Sequence, residues 1–398
     1  MSDEPFRAAV LRSHGARGGE VAELLAYARN MFDLGEAGVL WDYPLPDEPS
    51  VAAWERYAAE AAEVGTAECL RRRLVQLQFP IAAGMSSSAA YRAATRRGEP
   101  GVARHADGVA LVQPAELRIA VHPTAAGRVP VVVAGAREDF VSLVQALVHR
   151  NEPVSVPDSM GACIVAGYNN WDRIAELRAE WAREEGRGCS SESWAQAFRR
   201  VVPMTELYQD SFILLSSGPY SAIPASAMGL DEGDWLEKSR TIRLEHECTH
   251  YFTRRALGSM RNSLLDELIA DYMGIVAAAG RYRAGWFLRF MGLEAFPRYR
   301  SGGRLENYRG DPPLTDGAFV VLQSLVRSAA EQLERFDAVR SSLAGRREQG
   351  RGLVEGARVI VALARLGLET LASEEGAELL GSIARGLDRK ACTAMTPV

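Results

Sequence analysis

Lysine is nearly missing from this chain. Lys238 and Lys390 are the only two, and the other fixed positive charges are arginines. Together with the abundant Ala and Gly, this reads as the product of a GC-rich bacterial genome and says nothing about function. An excess of positive charge is missing as well. The formal net charge is -5, which leaves no electrostatic footprint for nucleic acid and no attraction to an anionic membrane surface. Cysteine is scarce and scattered. Cys69, Cys163, Cys189, Cys248 and Cys392 form no close pair, which excludes a disulfide framework and a zinc ribbon. No uninterrupted apolar run is long enough to span a bilayer. The start, Met-Ser-Asp-Glu-Pro, has neither the basic residues nor the apolar stretch of a secretory signal. A cytoplasmic location is therefore expected, where thiols stay reduced. There is no internal repeat and no long low-complexity tract.

What is there suits a globular protein of two or three domains. The 398 residues are 47% hydrophobic, enough for a sizeable core. Apolar residues recur at helical spacing from Val51 to Gln76, from Glu138 to His149 and from Asn170 to Glu185. Gly108–Val121, Val129–Ala134, Cys163–Gly167 and Ser211–Ser216 read as strands. The pattern thus predicts a mixed α/β N-terminal region over 1–200. A long helix is expected from Asp234 to Leu257, closed by Gly258, and a second from Ser263 to Ala279, stopped by Gly280. Ser263 and Asp266 match a capping box. Beyond Asp311 the chain is nearly all helix-forming, with segments at Ala318–Ser342 and Val354–Ala372 around a Gly- and Arg-rich break at 345–352. The expected division is a mixed region over 1–200, a metal-binding core over 201–310 and a helical region over 311–398, an α+β protein overall.

The segment that carries chemistry is Leu244-Glu245-His246-Glu247-Cys248-Thr249-His250. His246 and His250 are four residues apart, so on a helix they project from one face, one turn apart. Two imidazoles so placed can share a zinc ion, while Glu247, about 100° round the helix, can reach a water without being a ligand. Zinc in a catalytic site takes a third protein ligand and keeps an open position. The next helix offers Glu267 and Asp271, again four apart. Glu267 fits the ligand role. Asp271 fits the hydrogen-bond acceptor that orients a ligating histidine. Asp266 competes with Glu267, but its capping position accounts for it. Cys248 sits about 200° round the helix from His246 and should be a buried small residue rather than a ligand.

With these residues the chain resembles the gluzincin branch of zinc metallopeptidases, in which an HExxH helix is followed by a helix carrying Glu-x-x-x-Asp. The match is carried by His246, Glu247, His250, Glu267 and Asp271 and covers residues 210–279. Sixteen residues separate His250 from Glu267, which calls for a short turn between the helices. Thr253 and Ala256 stand where the metzincin branch has Gly and its third His. The resemblance implies a zincin-like core and a Zn2+-dependent hydrolase, with a peptide or protein as substrate. It also implies that an upstream strand, here Ser211–Tyr220, lines the cleft and pairs with an extended peptide. An oxyanion-stabilising residue would come from Tyr272, Tyr282, Tyr299, Tyr308 or an Arg, because no His follows His250. The long N-terminal region suggests a dedicated substrate. Two other readings stay open: a metal enzyme of another reaction type, such as an iron enzyme on two His and one carboxylate, and a non-catalytic protein in which zinc clamps two helices.

Smaller features have simpler expectations. Gly84-Met-Ser86 lacks the closing glycine of a nucleophile elbow and reads as a helix start. Asn169 or Asn170 is expected to cap the following helix, with Arg150 or Arg173 as alternative binders of a substrate carboxylate. His105, His122 and His149 read as structural. Gly15–Gly19 follows no strand and makes no dinucleotide fingerprint.

Overall fold

The computed structural model describes residues 4–35, 42–99, 101, 108–185, 191–259, 263–344 and 352–394. The protein is α+β and divides into two compact units. One comprises Met1–Leu45, Thr124–Ala126 and Pro219–Val398. The other comprises Pro46–Pro123 and Gly127–Gly218. Among the described residues no helix is long and apolar enough to cross a membrane.

The second unit holds a four-stranded sheet. Strand β1 (Arg118–His122) pairs antiparallel with β2 (Val129–Val133). Strand β2 runs parallel to β4 (Gln209–Leu215), and β4 pairs antiparallel with β3 (Ala162–Asn169), giving the order β1-β2-β4-β3. Strands β2 and β4 are almost wholly buried because both are interior. Pro130 is tolerated in β2 because the ladder to β4 begins one residue later, at Val131. The expected strand over 108–121 shrinks to Arg118–His122. The N–H groups of Val112 and Gln113 are taken by the buried Asp139 carboxylate at 2.6 and 2.9 Å, not by a neighbouring strand. Strand β4 corrects a second expectation. It is an interior strand, paired with β3 along Gln209–Leu215 and with β2 at Ile213–Leu215, so the stretch 213–215 has no free edge for a peptide substrate.

Trp54, Tyr57, Phe140, Leu143 and Phe212 build the core of this unit. Below them lies a buried carboxylate, Asp210, which accepts from Trp54 Nε1 (2.8 Å), Asn170 Nδ2 (2.7 Å) and Arg173 Nη1 (2.5 Å). Arg173 is thus consumed internally and is not a binder of substrate. Asn170 caps the helix Trp171–Glu185, its Oδ1 accepting from the N–H groups of Asp172 and Arg173. The Gly84 segment is indeed a helix start. Ser88 Oγ caps Ala89–Arg97, and the N–H groups of Gly84 and Ser86 hold the Glu152 carboxylate at 2.8 Å each. His122 closes β1, and His105 lies outside the described residues.

The first unit is helical. Its centre is a motif helix, Glu232–Leu257, started by the Asp231 side chain on the Asp234 N–H and ended at Gly258 with φ 69°. The second, the carboxylate helix Ser263–Ala279, lies against it. Contact is closest at Gly274, where a Cβ would stand 2.6 Å from the Ile242 carbonyl oxygen. The order of segments differs from the expected three-part division, and the reason is packing. The helix Glu4–Ser13 sends Arg7 to the buried Glu369, 2.6 Å away, and Asn30 Nδ2 donates to the Ala364 carbonyl. The first 45 residues therefore belong with the C-terminal helices. Those helices are not separate from the motif and carboxylate helices either: Tyr272 of the carboxylate helix donates to Asp337 of the helix Asp316–Ala344 at 2.8 Å. Two expected helices are broken by glycines with positive φ. Gly65 (φ 87°) divides Val51–Val64 from Thr66–Arg73, and Gly367 (φ 78°) divides Leu353–Leu366 from Leu368–Ala372.

Candidate metal centre

The motif helix turns His246 and His250 to one side, with ring centroids 4.6 Å apart and the rings near perpendicular at 83°. Their Nε2 atoms face each other at 3.0 Å. Glu267 closes the triangle, Oε2 lying 3.5 Å from His246 Nε2 and Oε1 3.5 Å from His250 Nε2. One ligand atom from each of the three residues lies within 4.8 Å of the others. A tetrahedral zinc site with bonds of about 2.0–2.1 Å has edges of roughly 3.3 Å, so this triangle has the size of one face of such a site.

The opposite sides of the imidazoles are also held. His246 Nδ1 is 3.0 Å from Asp271 Oδ1, and His250 Nδ1 is 2.9 Å from Asp266 Oδ2. A carboxylate that accepts from Nδ1–H leaves Nε2 as the lone-pair nitrogen, the arrangement that metal-binding histidines use. Asp271 has the orienting position expected of it. Asp266 does not: its Oδ2 faces a histidine, and its Oδ1 is buried without a hydrogen-bond partner among the described residues. Its capping position in the sequence hid that role.

Charge accounts for the state of each group. Burial would lower the His250 pKa, but Asp266 and Glu267 outweigh it and hold the imidazole well above its usual range. Burial would raise Glu267 and Asp271. His250, His246 and Arg304 pull Glu267 far below the carboxylate range, and Arg304 and His246 lower Asp271. Glu247 is different: burial lifts its carboxyl above the ordinary glutamate value, only partly opposed by His246 and His250. Four carboxylates gathered round two imidazoles and one guanidinium form a setting that a divalent cation would neutralise. The residues present fit such an ion.

Two groups in the centre have no signal in the sequence. Tyr220 Oη stands 3.0 Å from His246 Nδ1 and 2.5 Å from Asp271 Oδ1. Arg304 donates to Tyr220 Oη at 2.9 Å, contacts Asp271 Oδ2 and lies 3.8 Å from Glu267 Oε2. They come from positions 26 residues before and 58 after His246, in short turns that no periodicity marks. Tyr308 shares a short helix with Arg304, and burial first, with the nearby Glu267 charge adding to it, raises its hydroxyl above the ordinary tyrosine pKa. The other expected tyrosines lie elsewhere: Tyr272 is bound to Asp337, Tyr282 is packed on Tyr272 with centroids 5.2 Å apart, and Tyr299 donates to the Gly303 carbonyl. Cys248 is buried with a free thiol, which burial pushes well above its usual pKa.

Fold and site together define an α+β protein with a candidate centre of two histidines and one glutamate on adjacent helices. The chain belongs to the Family of unknown function (DUF7005), whose model matches residues 9–375. No curated protein and no solved structure matches it.

Proposed function

We propose that this protein is a zinc-dependent hydrolase of the gluzincin kind, with a zincin-like core, and that it cleaves a dedicated peptide or protein substrate. The observation that carries the reading is the triangle of His246 Nε2, His250 Nε2 and Glu267, backed by a carboxylate on each Nδ1. Glu247 stands beside the first ligand with its carboxyl lifted by burial. When bound, zinc held by three protein ligands lowers the pKa of a water to about 7 and polarises a carbonyl.

The chain's own groups supply the rest. Glu247 takes the proton of the attacking water and delivers it to the leaving amine, and its raised proton affinity makes it a stronger base than an exposed carboxylate. Asp266 and Asp271 keep Nδ1 protonated on each imidazole. In this reading Tyr308, on the same short helix as Arg304, donates to the oxygen that gains charge. The free thiols of Cys69, Cys163 and Cys248 suit a reducing compartment, the cytoplasm.

A second reading, a zinc clamp without catalysis, is favoured by burial, since His246 and His250 are only 7% and 8% exposed. Metal analysis with a peptide-library cleavage assay separates the two. The hydrolase reading requires about one zinc per chain and cleavage that a chelator abolishes. A zinc-loaded protein that cleaves nothing supports the clamp.

A further inference from the structure

A turn at Pro219–Ala222 closes over the back of the first metal histidine, and the motif helix itself holds it there. Ser239 Oγ accepts from the Tyr220 N–H at 2.9 Å, and Arg243 Nη2 donates to the Pro219 carbonyl at 3.1 Å. These two residues lie seven and three positions before His246 on the same helix. Ser221 and Ala222 have φ of 52° and 55°, the left-handed region that residues with a side chain enter only when their surroundings compel it. The compelling contacts are visible. Arg304 Nη1 bridges Tyr220 Oη (2.9 Å) and Ser221 Oγ (3.1 Å), while its Nη2 grips Asp271 Oδ2.

We propose that Tyr220 and Arg304 are a positioning pair that sets the plane of the His246 ring, and with it the metal affinity of the centre. The inference rests on the metal-centre reading. Asp271 is a carboxylate on a rotatable side chain, and alone it could present either oxygen to Nδ1 at several angles. Tyr220 donates to Oδ1 and Arg304 to Oδ2, so both oxygens are committed and the carboxylate cannot turn. The ring it faces is then fixed between Asp271 and the Tyr220 hydroxyl. The His250 side has no such frame, because Asp266 Oδ1 is buried without a partner among the described residues. On the Nδ1 side, His246 faces a carboxylate with both oxygens committed, and His250 faces one with a single committed oxygen. Tyr220 keeps its place by packing as well, its ring lying 4.9 Å from that of Phe290, so removing the hydroxyl leaves the ring seated.

The test compares zinc affinity, by chelator competition on the metal-free full chain, in the parent, Tyr220→Phe, Arg304→Lys and a control, Tyr272→Phe. The control loses a buried hydroxyl from the carboxylate helix that donates to Asp337 and not to the centre. Tyr220→Phe and Arg304→Lys should each weaken zinc binding by about 10- to 100-fold, the usual cost of losing a group that orients a ligand. They should also shift the visible bands of the cobalt-substituted protein. Tyr272→Phe should leave both unchanged. If both variants bind zinc as tightly as the control, the proposal is overturned. If circular dichroism shows that Tyr220→Phe does not fold, the Arg304→Lys affinity decides. A parent chain that binds no zinc at all overturns the metal-centre reading itself, and the inference with it, which is a different result from a tight parent with indifferent variants.

Discussion

Asp266 faces His250, its Oδ2 2.9 Å from Nδ1, although in sequence it sits where a helix cap would be. The structure gives it an Nδ1 contact with His250 like the one Asp271 makes with His246. Asp266→Ala should therefore weaken zinc binding by about 10- to 100-fold, comparably to Asp271→Ala and less than Glu267→Ala, which removes a ligand. A chelator-competition series on the three variants checks the order. An Asp266→Ala protein with parental zinc affinity would show that this contact has no part in holding the metal.

The pH dependence of metal binding follows from His250. Its folded pKa lies well above the unfolded value of about 6.5. In the metal-free protein the stabilisation from this raised pKa is fully present below about pH 6.5 and is lost as pH rises through the folded value. Zinc needs the neutral ring, so binding must displace that proton. Glu267, held far below the carboxylate range, and Asp271, lowered by Arg304 and His246, stay ionised and add no dependence in this window. Zinc affinity should rise from about pH 6 to 8, with proton uptake by the buffer measurable by calorimetry in buffers of different ionisation enthalpy. An affinity flat across that range contradicts the protonated His250.

Gly274 sets how closely the motif helix and the carboxylate helix approach. A Cβ there would stand 2.6 Å from the Ile242 carbonyl oxygen, which is backbone and cannot swing aside. Ile242 lies one turn before His246, and Gly274 nearly one turn after Asp271. Gly274→Ala should cost about 1–3 kcal/mol of stability through overpacking, and it should also lower zinc affinity by moving the ligands apart. Gly285→Ala, where nothing lies within 4 Å, is the control for denaturant and metal titrations. Equal stability and affinity in both variants would refute the close-contact argument.

How much of this was legible in the sequence depends on how local each signal is. The motif helix could be read because its ligand spacing and its closing glycine lie within one segment. Glu267 and Asp271 shared a face for the same reason. Asp266 was misread because a local capping pattern explained it completely, and the competing contact comes from another helix. Tyr220 and Arg304 are brought to His246 by tertiary packing alone. Strand β4 was recognised as a strand, but its interior place depends on β2 and β3, which pair with it from distant parts of the chain. The breaks at Gly65 and Gly367 fell inside apolar periodicity that runs on past them.

Glu247 carries the catalytic claim. Glu247→Gln keeps the shape and removes the base. The variant should fold and hold zinc as the parent does, while turnover falls by at least about 10²- to 10⁴-fold. Metal content and peptide cleavage are measured on the same preparations. Undiminished function in a zinc-loaded Glu247→Gln protein would end the hydrolase reading while leaving the metal site intact.

The ion pair between Arg7 and Glu369 joins positions 362 residues apart. At a synthesis rate of about 5–20 residues per second, the first helix leaves the ribosome roughly 18 to 72 s before its partner is made. Residues 46–218 contain the whole of the second unit, interrupted only by Thr124–Ala126 of the first, so that unit can close during the wait. The motif and carboxylate helices follow it out, but Arg7 of the first helix must wait for Glu369 until almost the whole chain has been translated. The early-made end of this protein is thus the last to find its place, and the interval in which it is open to chaperones and proteases is set by the length of the message between them.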